Sequence, residues 1–267
     1  MLVALQMYDL PELKWATDAL GAQLLINLRR AGFPEVPYGL DREGDYKAQW
    51  SHPELLLAQT CGYPLVTMLQ GQVRYLATPC YAAPHCAGPR YCSLLVVRAD
   101  DPADSFADLR GRRAAITRPY SQSGYNALRH AVAPLAAGGR FFGEVIETGG
   151  HGASLAAVAE GGADVAAIDA VTFALLERNR PAATRPLKTI GRTASAPGLP
   201  YITRGAASEQ EVERLRQALA ETFADPTLGE ARQALLIAGL EVLDDGAYAV
   251  LADMEREAAA FGYAEVA

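Results

Sequence analysis

Long apolar runs are missing from this sequence, and so is any excess of basic charge. No stretch of about 18 apolar residues is present, so no segment reads as a membrane-spanning helix. The 24 Lys and Arg are outnumbered by 31 Asp and Glu, giving a formal charge of −7, which argues against a broad basic surface for nucleic acid. Histidine and cysteine are scarce, at four residues each. Three of the cysteines, Cys80, Cys86 and Cys92, fall in "TPCYAAPHCAGPRYCS" with six-residue steps; Cys61 stands apart. That spacing lacks the C-x2-C pairing of a zinc site, and no metal or cofactor is expected. One disulfide and a set of small buried thiols remain equally open readings. Also absent are G-x-G-x-x-G, G-x4-G-K-[ST], G-x-S-x-G, H-E-x-x-H and S-x-x-K. Nucleotide-cradle, serine-triad and zinc-hydrolase chemistry therefore lose their usual sequence support.

What is present is ordinary globular material. Half of the 267 residues are hydrophobic and 21% charged, enough to bury a large core or two medium ones. The N-terminus "MLVALQMYDLPELKW" has no positive n-region, and its apolar run stops at Asp9. The expectation is a cytoplasmic protein if this start is native, or a periplasmic one if it is a mature form.

Hydrophobic patterning alternates between strand and helix. Apolar runs at 2–7, 53–59, 72–78, 93–99, 113–117, 144–148 and 164–169 read as strands. Helical patterns read at 11–32, near 64–70, from Gly124 onward and at 153–162. The rhythm implies α/β layering with parallel sheets. Residues 181–200 read as a proline-containing loop. Beyond it Ser208 and Glu211 form a capping box at the start of a helix, and two further Ala-rich helices are expected to end the chain.

In such sheets ligands gather at the C-terminal ends of strands. Tyr8 follows the first strand, Thr60, Cys61, Gly62 and Tyr63 the second, Ser121, Gln122, Ser123 and Gly124 the fifth, and Asp169 the last apolar one. The stretch "RPYSQSGYNALR" opens a helix directly at its serines. A helix start leaves N–H groups unpaired and carries partial positive charge, which suits a phosphoryl, sulfonyl or carboxylate oxygen. An ordinary serine cap explains the same pattern. His151, in "ETGGHGASL", reads equally as a donor to an anion or as a loop histidine.

The order "YCSLLVVRADD", "DLRGRRAAI", "SQSGYNALR", "ETGGHGASLAAVAEGGADVAAIDAVTFALL" and "GLPYITR" resembles the phosphate/phosphite/phosphonate-type substrate-binding proteins of ABC importers, a branch of the type II periplasmic-binding-protein fold. The resemblance spans about residues 2–220 and is strongest over 91–175. It implies two α/β lobes joined by two crossing strands, placed here at "SLLVVRA" and "PYITRG", with a ligand trapped between them. Lobe 1 is then 1–92 plus 203–267, and lobe 2 is 93–202. It also implies that Ser121, Gln122, Ser123 and the Gly124 N–H hold the anionic group. Further residues implied for the ligand are His151, Asp169, Tyr91, and on the first lobe Tyr8, Thr60, Cys61 and Tyr63.

Two departures from the family pattern stand out. The segment 197–201 carries no carboxylate, which argues against an aminoalkyl ligand, and Gln122 replaces a hydroxyl residue. The expected function is capture of a small anion for an ABC permease, by a protein acting as a monomer without membrane insertion. The alternatives are a cytoplasmic sensor, or an enzyme on the same fold using Cys61 as nucleophile.

Overall fold

A computed structural model of the chain describes residues 1–244 and 246–267. In chain order its strands begin with β1 (Leu2–Ala4), β2 (Leu55–Gln59), β3 (Val73–Tyr81), β4 (Arg90–Tyr91), β5 (Ser93–Arg98) and β6 (Arg113–Ile116). There follow β7 (Glu144–Glu147), β8 (Val165–Asp169), β9 (Leu187–Arg192), β10 (Ala196–Pro197), β11 (Tyr201–Arg204) and β12 (Ile237–Glu241). The helices run from α1 (Lys14–Arg30), α2 (Tyr46–Trp50), α3 (Gly62–Val66), α4 (Ala127–Val132) and α5 (His151–Ala159) to α6 (Ala170–Asn179). They end with α7 (Pro181–Thr184), α8 (Glu209–Ala224), α9 (Gly229–Ala234) and α10 (Ala249–Ala260).

The chain separates into two compact units. Unit 1 holds described residues 1–82, 87–89 and 197–244, and unit 2 holds 83–86, 90–196 and 246–267. Unit 1 contains a five-stranded sheet in the order β1-β2-β11-β3-β12. β1 and β2 are parallel, whereas β11 runs antiparallel to both β2 and β3, and β12 antiparallel to β3. The run "LLLAQ" of β2 is buried throughout, the pattern of a strand covered on both faces. The expected capping box opens α8: Ser208 Oγ accepts from the Glu211 N–H at 3.2 Å, and the Glu211 carboxylate accepts from the Ser208 N–H at 2.8 Å. α1 and α8 are tied by a buried bond from Asn27 Nδ2 to Thr222 Oγ1.

Unit 2 repeats the layering with the order β7-β6-β8-β5-β9. β6 is parallel to β7 and β8, while β5 is antiparallel to β8 and β9. Its core joins Leu95, Val97, Ile116, Leu128 and Val165 to Ala258, Tyr263 and Val266 from the end of the chain.

Several expectations need correction. The sheets are mixed rather than parallel, because β5 and β11 enter their sheets in the reverse sense. "SLLVVRA" and "PYITRG" are interior strands of units 2 and 1, and the chain passes between units at 82–90, at 196–197 and again between 244 and 246. Their apolarity reflects burial within a sheet. Residues 246–267, expected in the first lobe, belong to unit 2, since α10 and the tail complete its core. The expected loop at 181–200 contains α7 and β9, which pairs with β5. One of the Ala-rich terminal segments is β12, entered through Leu236 at φ 57° and held by pairing with β3.

Candidate functional site

Unit 2 builds its site where β6 hands over to the helical segment ending in α4. The first turn, Gln122–Asn126, is π-helical, with the Asn126 N–H donating to the Ser121 carbonyl five residues back. Ser121 is extended, at φ −77° and ψ 135°, and its Oγ accepts the Gly124 N–H at 3.0 Å. The Gly124 N–H, expected to hold an anion, is thus taken by the cap. Gly124 also has a packing reason to be glycine, because a Cβ there would collide with the side chain of Thr117.

Gln122 departs from expectation too. Its side chain is buried away from the turn, with Nε2 donating to Met254 Sδ at 3.4 Å and Oε1 accepting from Asn126 Nδ2 at 2.7 Å. Ser123 faces the other way. Its carbonyl accepts from Ser93 Oγ at 2.9 Å, and its Oγ lies 2.9 Å from His151 Nε2.

His151 is the first residue of α5 and not a loop residue. Gly150 and Gly152 beside it meet no other atom within 4 Å of an added Cβ, so the backbone of this helix start is open to approach. The residue is partly accessible, but its Nδ1 is closed off from solvent. Burial pushes the imidazole down to about 4, against a smaller opposing pull from the Ala167 backbone. It is therefore neutral near pH 7. Two helix starts, those of Gln122 and His151, thus meet through one hydrogen bond, and both present the positive ends of their dipoles.

Asp169 lies at the end of β8, opposite Ser93 in the ladder with β5. It is buried, and its carboxylate accepts the Thr172 N–H at 2.8 Å, capping α6. Tyr91, at the end of β4, is buried as well. Sequence reasoning missed Ser93, whose hydroxyl holds the Ser123 carbonyl; a lone polar residue opening an apolar strand was its signal.

The candidates in unit 1 are gathered at the ends of adjacent strands β1 and β2, but in a closed setting. Tyr8 is buried edge-to-face on Tyr81, ring centroids 5.1 Å apart. Both line a cavity of about 20 Å³ with Gln59 and Tyr201, room for about one water. Gln59 Nε2 donates to Tyr81 Oη and to the Leu199 carbonyl. Thr60 is buried, its N–H donating to the Pro200 carbonyl and its Oγ1 to the Cys61 carbonyl. Cys61 precedes α3, and Tyr63 within α3 is buried.

All four cysteines are free thiols, so the disulfide alternative is not realised. Burial pushes the Cys80 and Cys86 thiols up to about 12, which keeps them protonated and weakly nucleophilic. Among the described residues, no group of His, Cys, Asp and Glu could hold a metal ion, and no helix is long and apolar enough to cross a membrane.

Comparison with known proteins agrees with this architecture. Residues 54–248 match the family model described as ABC transporter, phosphonate, periplasmic substrate-binding protein. The chain belongs to this family. No match is found among curated proteins. Solved structures similar to it include a binding-protein component of an ABC phosphonate transporter from Pseudomonas aeruginosa, with TM-score 0.78 and 19% identity over 98% of this chain and 87% of that one. Another is PhnD1 from Prochlorococcus marinus in complex with methylphosphonate, with TM-score 0.76 and 15% identity over 96% and 97%. XAC2383 from Xanthomonas citri bound to ATP aligns with TM-score 0.70 and 19% identity over 98% of both chains. At these identities the likenesses establish the fold: a two-lobed α/β periplasmic-binding-protein fold with mixed sheets. Family membership establishes a substrate-binding protein of the phosphonate ABC-transporter type.

Proposed function

We propose that this chain captures a small oxyanion of the phosphonate or phosphate class at the S-Q-S-G turn of unit 2 and delivers it to an ABC permease without altering it. The observation that carries the reading is the 2.9 Å bond between Ser123 Oγ and His151 Nε2, which brings two helix starts to one point. There the Ser121 and Ser123 hydroxyls and the early N–H groups of both helices supply donors, and a neutral His151 adds a ring nitrogen without a fixed charge. The Gln122 side chain is engaged by Met254 and Asn126, and Asp169 caps α6 through Oδ1. The lack of a carboxylate in 197–201 favours a ligand without an ammonium group. The raised thiols of Cys80 and Cys86 support binding without catalysis.

The test is a thermal-shift screen of the full chain against phosphate, phosphite, methylphosphonate, methanesulfonate and small carboxylates. A ligand that binds only the folded state raises the melting temperature. The expected result is a rise with phosphonate or phosphate; a response confined to carboxylates would reject the phosphoryl reading.

A further inference from the structure

Arg118 is the one residue of the stretch "RPYSQSG" whose charge the fold does not use. Its carbonyl accepts the Ser121 N–H at 2.9 Å, which fixes its backbone at the base of the anion turn. Its Nη2 lies over Gly149, 3.7 Å from where a Cβ would stand, in the loop leading to Gly150 and His151. The guanidinium therefore sits beside both loops that open the two helices. It is half-buried, its Nε is shut off from solvent with no hydrogen-bond partner, and no carboxylate pairs with it among the described residues. The other buried or partly buried arginines of this unit are neutralised: Arg112 by Asp101, Arg113 by Asp164, and the buried Arg129 by Glu255. A guanidinium that is partly desolvated and unpaired is unfavourable unless an anion completes it.

We infer that Arg118 is a specificity-determining residue of this site and selects a doubly charged phosphoryl or phosphonyl group over a singly charged sulfonyl one. The inference rests on the anion site proposed above. The two helix starts supply partial positive charge to any tetrahedral oxyanion, and His151 stays neutral near pH 7, so neither distinguishes a dianion from a monoanion strongly. A full cation does, and its planar fork matches two phosphoryl oxygens at once.

The experiment is isothermal titration of the full chain with inorganic phosphate, methylphosphonate and methanesulfonate, using wild type, Arg118→Gln and Arg118→Lys. Wild type is expected to bind the phosphoryl ligands more tightly, and more tightly at about pH 8 than at about pH 6 as the dianion forms. Arg118→Gln is expected to lose about tenfold to a hundredfold in affinity for phosphate and methylphosphonate, with little change for methanesulfonate. Arg118→Lys, which keeps the charge without the fork, should fall between. Equal affinities of wild type and Arg118→Gln for methylphosphonate overturn the inference and leave the anion site standing. Equal losses for all three ligands also overturn it, since selectivity would then not reside in this residue. If wild type binds none of the three, the anion site falls and this inference with it. Should Arg118→Gln fail to fold, the wild-type pH dependence decides: a flat phosphate affinity between these pH values overturns the preference for the dianion.

Discussion

Units 1 and 2 are built on the same plan, a five-stranded mixed sheet flanked by helices, yet they finish their strand ends in opposite ways. At the end of β2, Gln59 is committed to Tyr81 and Leu199, Thr60 to Pro200 and Cys61, and Tyr8 stacks on Tyr81 around a cavity that fits about one water. At the end of β6, Ser121 Oγ is used as an acceptor and keeps its hydrogen, Ser123 Oγ is shared with His151 Nε2, two helix starts converge, and Arg118 Nε has no hydrogen-bond partner among the described residues. On the function proposed above, the contrast teaches that a strand end serves as a ligand site only where its donors are left unmatched by the protein. Position at the C-terminal end of a strand is shared by both sets of candidates and does not separate them.

The unit 2 turn is held from behind by the end of the chain, and breaking that brace should produce the largest effect. Arg129 is buried, donating to the Ala264 carbonyl at 2.8 Å and to Asn126 Oδ1 at 2.6 Å, and it lies over the Tyr125 ring. Asn126 in turn donates to the Leu251 carbonyl and to Gln122. Arg129→Ala leaves buried acceptors without donors and is expected to lower stability by about 3 kcal/mol, read as a shift of the urea midpoint. The end of β2 is braced by a remote segment as well, Gln59 donating to the Leu199 carbonyl and the Thr60 N–H to the Pro200 carbonyl, but that brace ties one strand end to another and not a turn to the C-terminal segment.

His151 gives the next effect, and its sign follows from its environment. The folded-state value of about 4 lies below the ordinary 6.5, so on acidification the unfolded chain takes up the proton first. The contribution is complete above pH 6.5 and is lost as the pH falls toward 4. Because the residue is partly accessible, a loss on the order of 2 kcal/mol is expected. His151→Gln should flatten this part of the stability-against-pH curve measured by urea denaturation; an unchanged slope would assign it to other groups.

Ser123→Ala separates site from scaffold. The Ser93 bond to the Ser123 backbone survives the substitution, so the melting temperature should change little. The affinity for methylphosphonate should fall about tenfold, the worth of one hydrogen bond to a charged group. The matching change in unit 1, Tyr8→Phe, is expected to leave that affinity within about twofold.

Much of this contrast could be read from the residues alone, and the remainder had identifiable causes. The helix start at the serines, the capping box of Ser208 and Glu211, and most strands of both sheets follow from local pattern. β9 was hidden because "LKTIGR" follows two prolines and is only partly buried, and β12 because "IAGLE" has helical composition and becomes a strand through pairing with β3. The direction of the Gln122 side chain was not legible, since it depends on Met254, 132 residues away. The use of the Gly124 N–H by Ser121 was the commoner of two local outcomes for a serine before a helix, and the resemblance to anion binders had pointed to the other.

Ser208→Ala is the smallest expected effect and the sharpest control. The capping box lies at the start of α8 in unit 1, exposed and remote in function from the anion turn. Removing the hydroxyl leaves the Glu211 N–H without its acceptor while the Glu211 carboxylate keeps its bond to the Ser208 N–H, so about 1 kcal/mol of stability should be lost. Anion affinity, measured by titration with methylphosphonate, should be unaltered. Ser121 and Ser208 are both N-cap serines by geometry, each accepting an N–H three residues on. If Ser121→Ala weakens anion binding and Ser208→Ala does not, the difference lies in what surrounds the cap, namely a second helix start and a guanidinium with no carboxylate partner among the described residues, and not in the cap itself.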